Sequence, residues 1–158
     1  MQRNDMVKRL AAALERRGWM LTCAESCTGG GIAAALTDLA GSSAWFDRGF
    51  VTYSNDAKRE MLGVAADTLD RHGAVSRETV IEMAQGALSH SRAQISVAVS
   101  GVAGPGGGTP DKPVGTVWLA WAGPDGADAV CERFAGDRLA VRAATIDRAL
   151  VGLLDRTG

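Results

Sequence analysis

Apolar residues recur at helical spacing in some stretches of the chain and run together in short blocks in others. Residues 3–17 put Met6, Leu10, Ala13 and Leu14 on one stripe with Arg and Glu opposite, and Gly18 follows, so the spacing predicts a helix that stops there. The block WMLTCA (19–24) is short and apolar, which predicts one buried strand. GGIAAALTDLAG (30–41) predicts a second helix ending at Gly41, and the aromatic and β-branched run WFDRGFVTYS (45–54) a second strand. NDAKREMLG (55–63) carries capping residues at its start and glycine at its end, and so predicts a short helix. Residues 76–91 open on Ser-x-x-Thr and keep apolar spacing, which predicts a longer helix despite Gly86. AQISVAVSG (93–101) predicts a buried strand, and 102–113 a loop. Residues 114–123 and 128–136 predict a hairpin across PDGA, where Asp-Gly is the turn signal, and 137–155 predict a final helix. Strands and helices alternate apart from that hairpin, which predicts an α/β layered domain with a mixed sheet and helices on both faces. No repeat, low-complexity tract or linker divides the chain, so residues 1–158 are expected to form one domain.

Composition narrows the function. A net charge of −1 lacks the basic surplus of a general nucleic-acid binder, though a small anionic ligand needs only one local positive spot. No run reaches the apolar length of a membrane span, and the N-terminus lacks the apolar core of a signal peptide. Neither nucleic acid nor membrane is therefore an expected partner. Cys23, Cys27 and Cys131 are odd in number and show no paired spacing, which suits a reduced, cytoplasmic setting; with His72 and His90 far away in sequence they form no zinc pattern, and no metal is expected.

The 20 glycines cluster, most tellingly in AESCTGGG (24–31). This stretch falls between a predicted strand and a predicted helix, where sites gather in open α/β sheets. Two readings stay open. Ser26 or Thr28 is a plain helix N-cap; or Ser26 is a nucleophile, with N–H groups around Cys27, Thr28, Gly29 and Gly30 holding an oxyanion. A serine nucleophile needs a base. His72 and His90 sit at helix or turn ends, where a histidine commonly serves the helix terminus, so a lysine is the better candidate. TYSNDAKRE (52–60) supplies the only tyrosine, Tyr53, and a lysine, Lys58, in the first turn of a predicted helix. The helix dipole and neighbouring Arg59 would both favour neutral lysine there. The bland alternative is a solvated lysine beside a half-buried tyrosine.

TCAESCTGG, DLAGSSAWFDRGFVTYSNDAKREMLGV, HGAVS, VSGVAGPGGGTPDKPVGTVWLAW and FAGDR, in this order over nearly the whole chain, resemble the CinA C-terminal domain family. The resemblance implies a three-layer α/β/α sandwich with a mixed, mostly parallel sheet, and a homodimer. It implies the activity of the stand-alone members, which deamidate nicotinamide mononucleotide to nicotinic acid mononucleotide without a cofactor. It also implies Ser26 as nucleophile, activated by Lys58 and Tyr53. Longer relatives carry a nucleotide pyrophosphatase domain ahead of this one, and that second activity is expected to be absent. A nucleotide substrate needs a phosphate site. SGVAGPGGGTP (100–110) follows a strand, and its amides can form an anion nest from Gly101, Gly104, Gly106 and Gly107, with Thr109 and either Arg138 or Arg142 adding contacts. Ser42 and Ser43 are further candidates for the pocket lining. The competing class is a non-catalytic nucleotide-binding module.

Overall fold

The computed structural model describes all 158 residues. Five strands form one sheet in the order β2-β1-β3-β4-β5: β1 Leu21–Glu25, β2 Phe46–Val51, β3 Ile95–Gly101, β4 Thr116–Gly123 and β5 Gly126–Arg133. β1 runs parallel to β2 and β3, while β4 and β5 continue the sheet as an antiparallel hairpin. Helices α1 (Arg3–Arg17), α2 (Gly31–Thr37) and α6 (Arg138–Thr157) cover one face. Helices α3 (Asn55–Leu62), α4 (Ala66–His72) and α5 (Arg77–Ser89) cover the other. The expected sandwich of three layers is thus the observed one.

The period-two alternation of the strands assigns each face its own packing. On the α6 side Leu21 and Cys23 of β1, Val97 and Val99 of β3 and Leu119 and Trp121 of β4 build the larger core. On the α5 side the pairing register lines up Ala24, Ala98, Ala120 and Ala129 across four strands. A row of methyl groups lets α5 lie close to the sheet. Gly86 continues that close fit on the far side of α5, where an added Cβ would stand 2.0 Å from the carbonyl oxygen of Leu62 at the end of α3. The glycine that weakens the helical pattern in sequence is therefore a contact between two helices.

Two expectations need correction, and one element was missed. The second helix ends at Thr37, and a 3₁₀ turn (Ser42–Ala44) leads into β2. The hairpin turns on Pro124 and Asp125, because Gly123 pairs with Gly126, so β5 starts two residues earlier than the Asp-Gly signal suggests. Helix α4 was not foreseen: Leu69 is its one buried residue, too little for a periodic pattern.

The carboxyl ends of β1, β2 and β3 coincide, and the hairpin geometry brings the start of α6 to the same edge. Four connections therefore meet there: 26–30, 52–54, 102–115 and 134–137.

Ala for Gly in a helix ordinarily stabilises by up to about 1 kcal/mol. At Gly86 the sign should reverse, with Gly86→Ala destabilising by roughly 1–3 kcal/mol through overpacking against backbone. The urea midpoint of the variant, compared with wild type, checks this.

Candidate active site

Ser26 follows the last residue of β1, and its N–H donates to the carbonyl of Val99 on β3 (3.1 Å). The turn after it is organised by Glu25. This carboxylate is fully buried and accepts the N–H groups of Ile32 (2.8 Å) and Ala33 (3.0 Å) and the hydroxyl of Thr28 (2.5 Å). Glu25 is thus the cap of α2, the role that one of the two sequence readings gave to Ser26 or Thr28. The carboxylate fills the helix N-terminus, so the first α2 amides are not available to a ligand. Gly29 and Gly31 donate their N–H groups to the carbonyls of Ser26 and Thr28. The N–H groups of Cys27, Thr28 and Gly30 donate to no oxygen of the chain. Gly29 (φ 58°) and Gly30 (φ 102°) supply the left-handed backbone the turn requires.

Lys58 reaches this turn from α3. Ser54 caps that helix by accepting the N–H of Ala57 (3.0 Å), which places Lys58 facing inward at the end of the first turn. Its side chain is 1 % exposed. Nζ lies 3.0 Å from Ser26 Oγ, 2.9 Å from the Thr52 carbonyl and 3.2 Å from the Tyr53 carbonyl. Burial lowers its pKa to about 8, against a smaller opposing effect of the Cys27 thiol. Arg59 has no part in this: it lies exposed and faces Asp56 at 3.8 Å.

A neutral amine has two N–H donors and one lone pair. Thr52 and Tyr53 offer two carbonyls that can only accept, and Ser26 offers the one neighbour that can donate. All three partners accept from the ammonium; in the neutral amine the two carbonyls keep its N–H donors and the lone pair is left for the serine proton.

The remaining candidates divide. Ser26, Cys27, Tyr53, Lys58, Gly101, Gly104, Gly106 and Gly107 line one pocket of about 320 Å³. Tyr53 meets the Ser26–Lys58 pair through its backbone carbonyl; its ring is 61 % exposed and its hydroxyl accepts from Arg138 (3.1 Å). Cys27 is buried beside Ser26, and burial pushes its thiol up to about 11, which keeps it protonated. Thr28, Gly29 and Gly30 shape the turn beneath the pocket. Arg142 is not in the lining. It donates to the carbonyls of Cys27 (3.1 Å) and Thr28 (3.1 Å) and so clamps the serine turn from behind. Thr109 exchanges hydrogen bonds with Lys112 and only shapes its own loop. Ser42 and Ser43 stand at the opposite edge of the sheet, before β2, and do not reach the pocket.

Sequence reading missed Asn55 and Ser100 as lining residues, and Glu25 as the anchor. A carboxylate at a strand end, three residues before threonine and glycines, is the signal that could have found Glu25. Arg138, at the first position of α6, is the arginine that lines the pocket, and it also donates to the Gly104 carbonyl (2.9 Å). Nowhere do three or more His, Cys, Asp or Glu side chains gather as a metal would need, and no helix is long and apolar enough to cross a membrane.

Fold and pocket define an α/β protein with a serine–lysine pair at the carboxyl edge of its parallel strands. The CinA C-terminal domain profile matches residues 3–157, and the chain belongs to that family. It is 58 % identical to the nicotinamide-nucleotide amidohydrolase PncC of Enterobacter agglomerans over 88 % of this chain and 85 % of that protein. The protein of the same name from Escherichia coli K12 is 55 % identical, covering 87 % and 84 %. A CinA-like protein of Parasynechococcus marenigrum is 55 % identical over 88 % of this chain, which spans only 34 % of that longer protein. The crystal structure of competence/damage inducible protein CihA from Agrobacterium tumefaciens superposes with a TM-score of 0.92 at 50 % identity, covering 97 % of this chain and 94 % of the other.

Replacing Glu25 by glutamine would turn an amide NH₂ toward backbone donors. Glu25→Gln should cost roughly 1–3 kcal/mol for the buried donors left unmatched, read as a lower urea midpoint.

Proposed function

We propose that this protein is a nicotinamide-nucleotide amidohydrolase that converts nicotinamide mononucleotide to nicotinic acid mononucleotide and ammonia, with Ser26 as nucleophile and Lys58 as base. The observation that carries this reading is the 3.0 Å contact between Lys58 Nζ and Ser26 Oγ, in which the amine's other two partners are carbonyls. The names of the PncC relatives support the substrate.

Lys58 takes the Ser26 proton as Oγ bonds to the carboxamide carbon, and the carbonyl π pair moves onto oxygen. The free N–H groups of the serine turn stabilise that oxyanion. As it collapses, the C–N bond breaks, its electron pair stays on nitrogen, and the proton held by Lys58 completes ammonia. Water, deprotonated by the same amine, then attacks the acyl carbon, the bond to Oγ breaks, and Lys58 returns the proton to Ser26 as the acid leaves. The Tyr53 carbonyl orients Lys58 throughout, while the phenol stands with Arg138 at the pocket mouth. Arg138 and the amides of Gly104, Gly106 and Gly107 receive the phosphate, and a pocket of about 320 Å³ suits a mononucleotide. A non-catalytic module has no use for a buried lysine of lowered pKa against a serine.

The test is ammonia release from nicotinamide mononucleotide. Ser26→Ala should lower kcat by about a thousandfold or more while the protein stays folded; a loss below about tenfold would reject the nucleophile. Lys58 works as a base only when neutral. With its pKa lowered to about 8, roughly a tenth of molecules are competent at pH 7 and nine-tenths at pH 9, so kcat/KM should rise with pH and level off above 8. Linkage runs in the same direction. Between about 8 and the ordinary 10.5 the unfolded chain binds a proton that the folded chain lacks. Stability relative to Lys58→Met should therefore rise with pH across that window, which unfolding at several pH values measures.

Arg138→Ala should raise KM for the nucleotide by about tenfold to a hundredfold with kcat little changed, and leave turnover of the dephosphorylated riboside unaltered. An equal loss on both substrates would remove Arg138 from the phosphate.

A further inference from the structure

The glycine loop assigned to the phosphate has little structure of its own. Residues 103–108 make no backbone–backbone hydrogen bond, and 105–111 are exposed. At its base Val102 pairs through its N–H and carbonyl with Thr116 and Gly115 (both 2.8 Å). At its tip the N–H of Thr109 donates to the Lys112 carbonyl (3.0 Å). Such a segment opens easily unless side chains hold it from outside. Three side chains do so. Arg138 donates to the Gly104 carbonyl (2.9 Å), Arg133 to the Asp111 carbonyl (3.4 Å), and Lys112 reaches out of the loop to the His72 carbonyl (2.8 Å).

Of these, only the Lys112 tie joins two segments that both line the pocket. His72 is the last residue of α4, and Ala74 and Val75 just beyond it share the lining with Gly104, Gly106 and Gly107. Their segment is firmly held: the hydroxyls of Ser76 (2.9 Å) and Thr79 (2.7 Å) both donate to the Gly73 carbonyl and fasten it to the start of α5. Lys112 thus links a loosely held wall to a fixed one. Its ammonium pairs with no carboxylate. Its partner is a carbonyl that the end of α4 leaves without an intrahelical donor, where a cation is favoured. Gly73 keeps the approach open, since a Cβ there would stand 3.3 Å from Nζ. Lys112 itself does not line the pocket.

We infer that Lys112 is a positioning residue: by tying the loop to the end of α4 it holds the amides of Gly104, Gly106 and Gly107 where the nucleotide's phosphate arrives. This rests on the amidohydrolase reading above. A loop that is closed only part of the time lowers the apparent affinity by that fraction, and leaves the chemical step at Ser26 and Lys58 alone.

The experiment measures ammonia release and, in protein without nucleotide, the rate at which thermolysin nicks residues 102–115. Lys112→Ala should raise KM for nicotinamide mononucleotide by roughly tenfold with kcat within about twofold of wild type. Turnover of the riboside, which has no phosphate for the loop to hold, should not change. The free variant should keep the circular dichroism spectrum of wild type and be nicked at least about fivefold faster. Lys112→Arg, whose guanidinium can meet the same carbonyl, should restore both KM and resistance to nicking. A raised KM with unchanged nicking would mean that Lys112 meets the phosphate itself, and would overturn the positioning role. An unchanged KM, or an equal loss on the riboside, would overturn it too, leaving the tie a matter of stability alone. No ammonia from the wild-type protein would instead overturn the amidohydrolase reading, and this role with it.

Discussion

One fully buried carboxylate sets the geometry on which the site depends. Glu25 ends β1 with its charge inside the protein, and a buried charge is tolerable only where donors surround it. The donors it uses are the first amides of α2 and the hydroxyl of Thr28. Meeting them forces the chain to leave β1, turn back within six residues and start a helix over the strand end. Such a turn needs left-handed backbone at Gly29 and Gly30, and Gly31 leaves the room that the end of the Ile146 side chain fills. Ser26 is the residue this turn leaves facing the pocket. The glycines that look like an anion cradle are first the cost of seating Glu25, and the nucleophile's position follows from it.

Lys58 shows the opposite balance. Its burial gains the fold little, since desolvating an ammonium is expensive and three hydrogen bonds only partly offset it. The same desolvation makes the amine basic enough, yet uncharged enough, to take a proton near neutral pH. Glu25 is buried among donors, and Lys58 is buried among acceptors. Two charged residue types thus sit 33 positions apart in sequence on either side of one serine, and only the lysine's burial moves its pKa toward neutrality.

The layers of the fold were legible because period-two and period-3.6 patterns report burial directly. Elements with little burial of their own escaped: α4 owes its place to Leu69 and to neighbours that no local pattern encodes. At the site, residue types were legible and directions were not. Serine, lysine and the glycine loop of 101–107 converge as their chemistry suggests. Tyr53 was legible as a participant, but only the backbone course shows that its carbonyl, and not its phenol, meets the pair. Ser42 failed for a topological reason: β2 is parallel to β1, so a residue before β2 lies at the far edge from one after β1. Ser100 was not legible as a lining residue because the lining is set by where the strand ends meet.

The division between Arg138 and Arg142 follows from their spacing on one helix. Four residues apart at the start of α6, they share a face, and that face meets the carboxyl edge of the sheet. The first reaches the open pocket and ties the Gly104 carbonyl to the Tyr53 hydroxyl. The second is one turn deeper, behind the serine turn, where only carbonyl oxygens remain to be met. By donating to the Cys27 and Thr28 carbonyls, Arg142 draws electron density along those peptide units and polarises the N–H groups on their far sides. One of these is the Thr28 N–H, which no protein oxygen accepts. A positive charge outside the pocket thereby acts on the backbone of the turn that carries Ser26. Arginine suits the task because its rigid fork spans two successive carbonyls, whereas the single ammonium of lysine would hold one at a time.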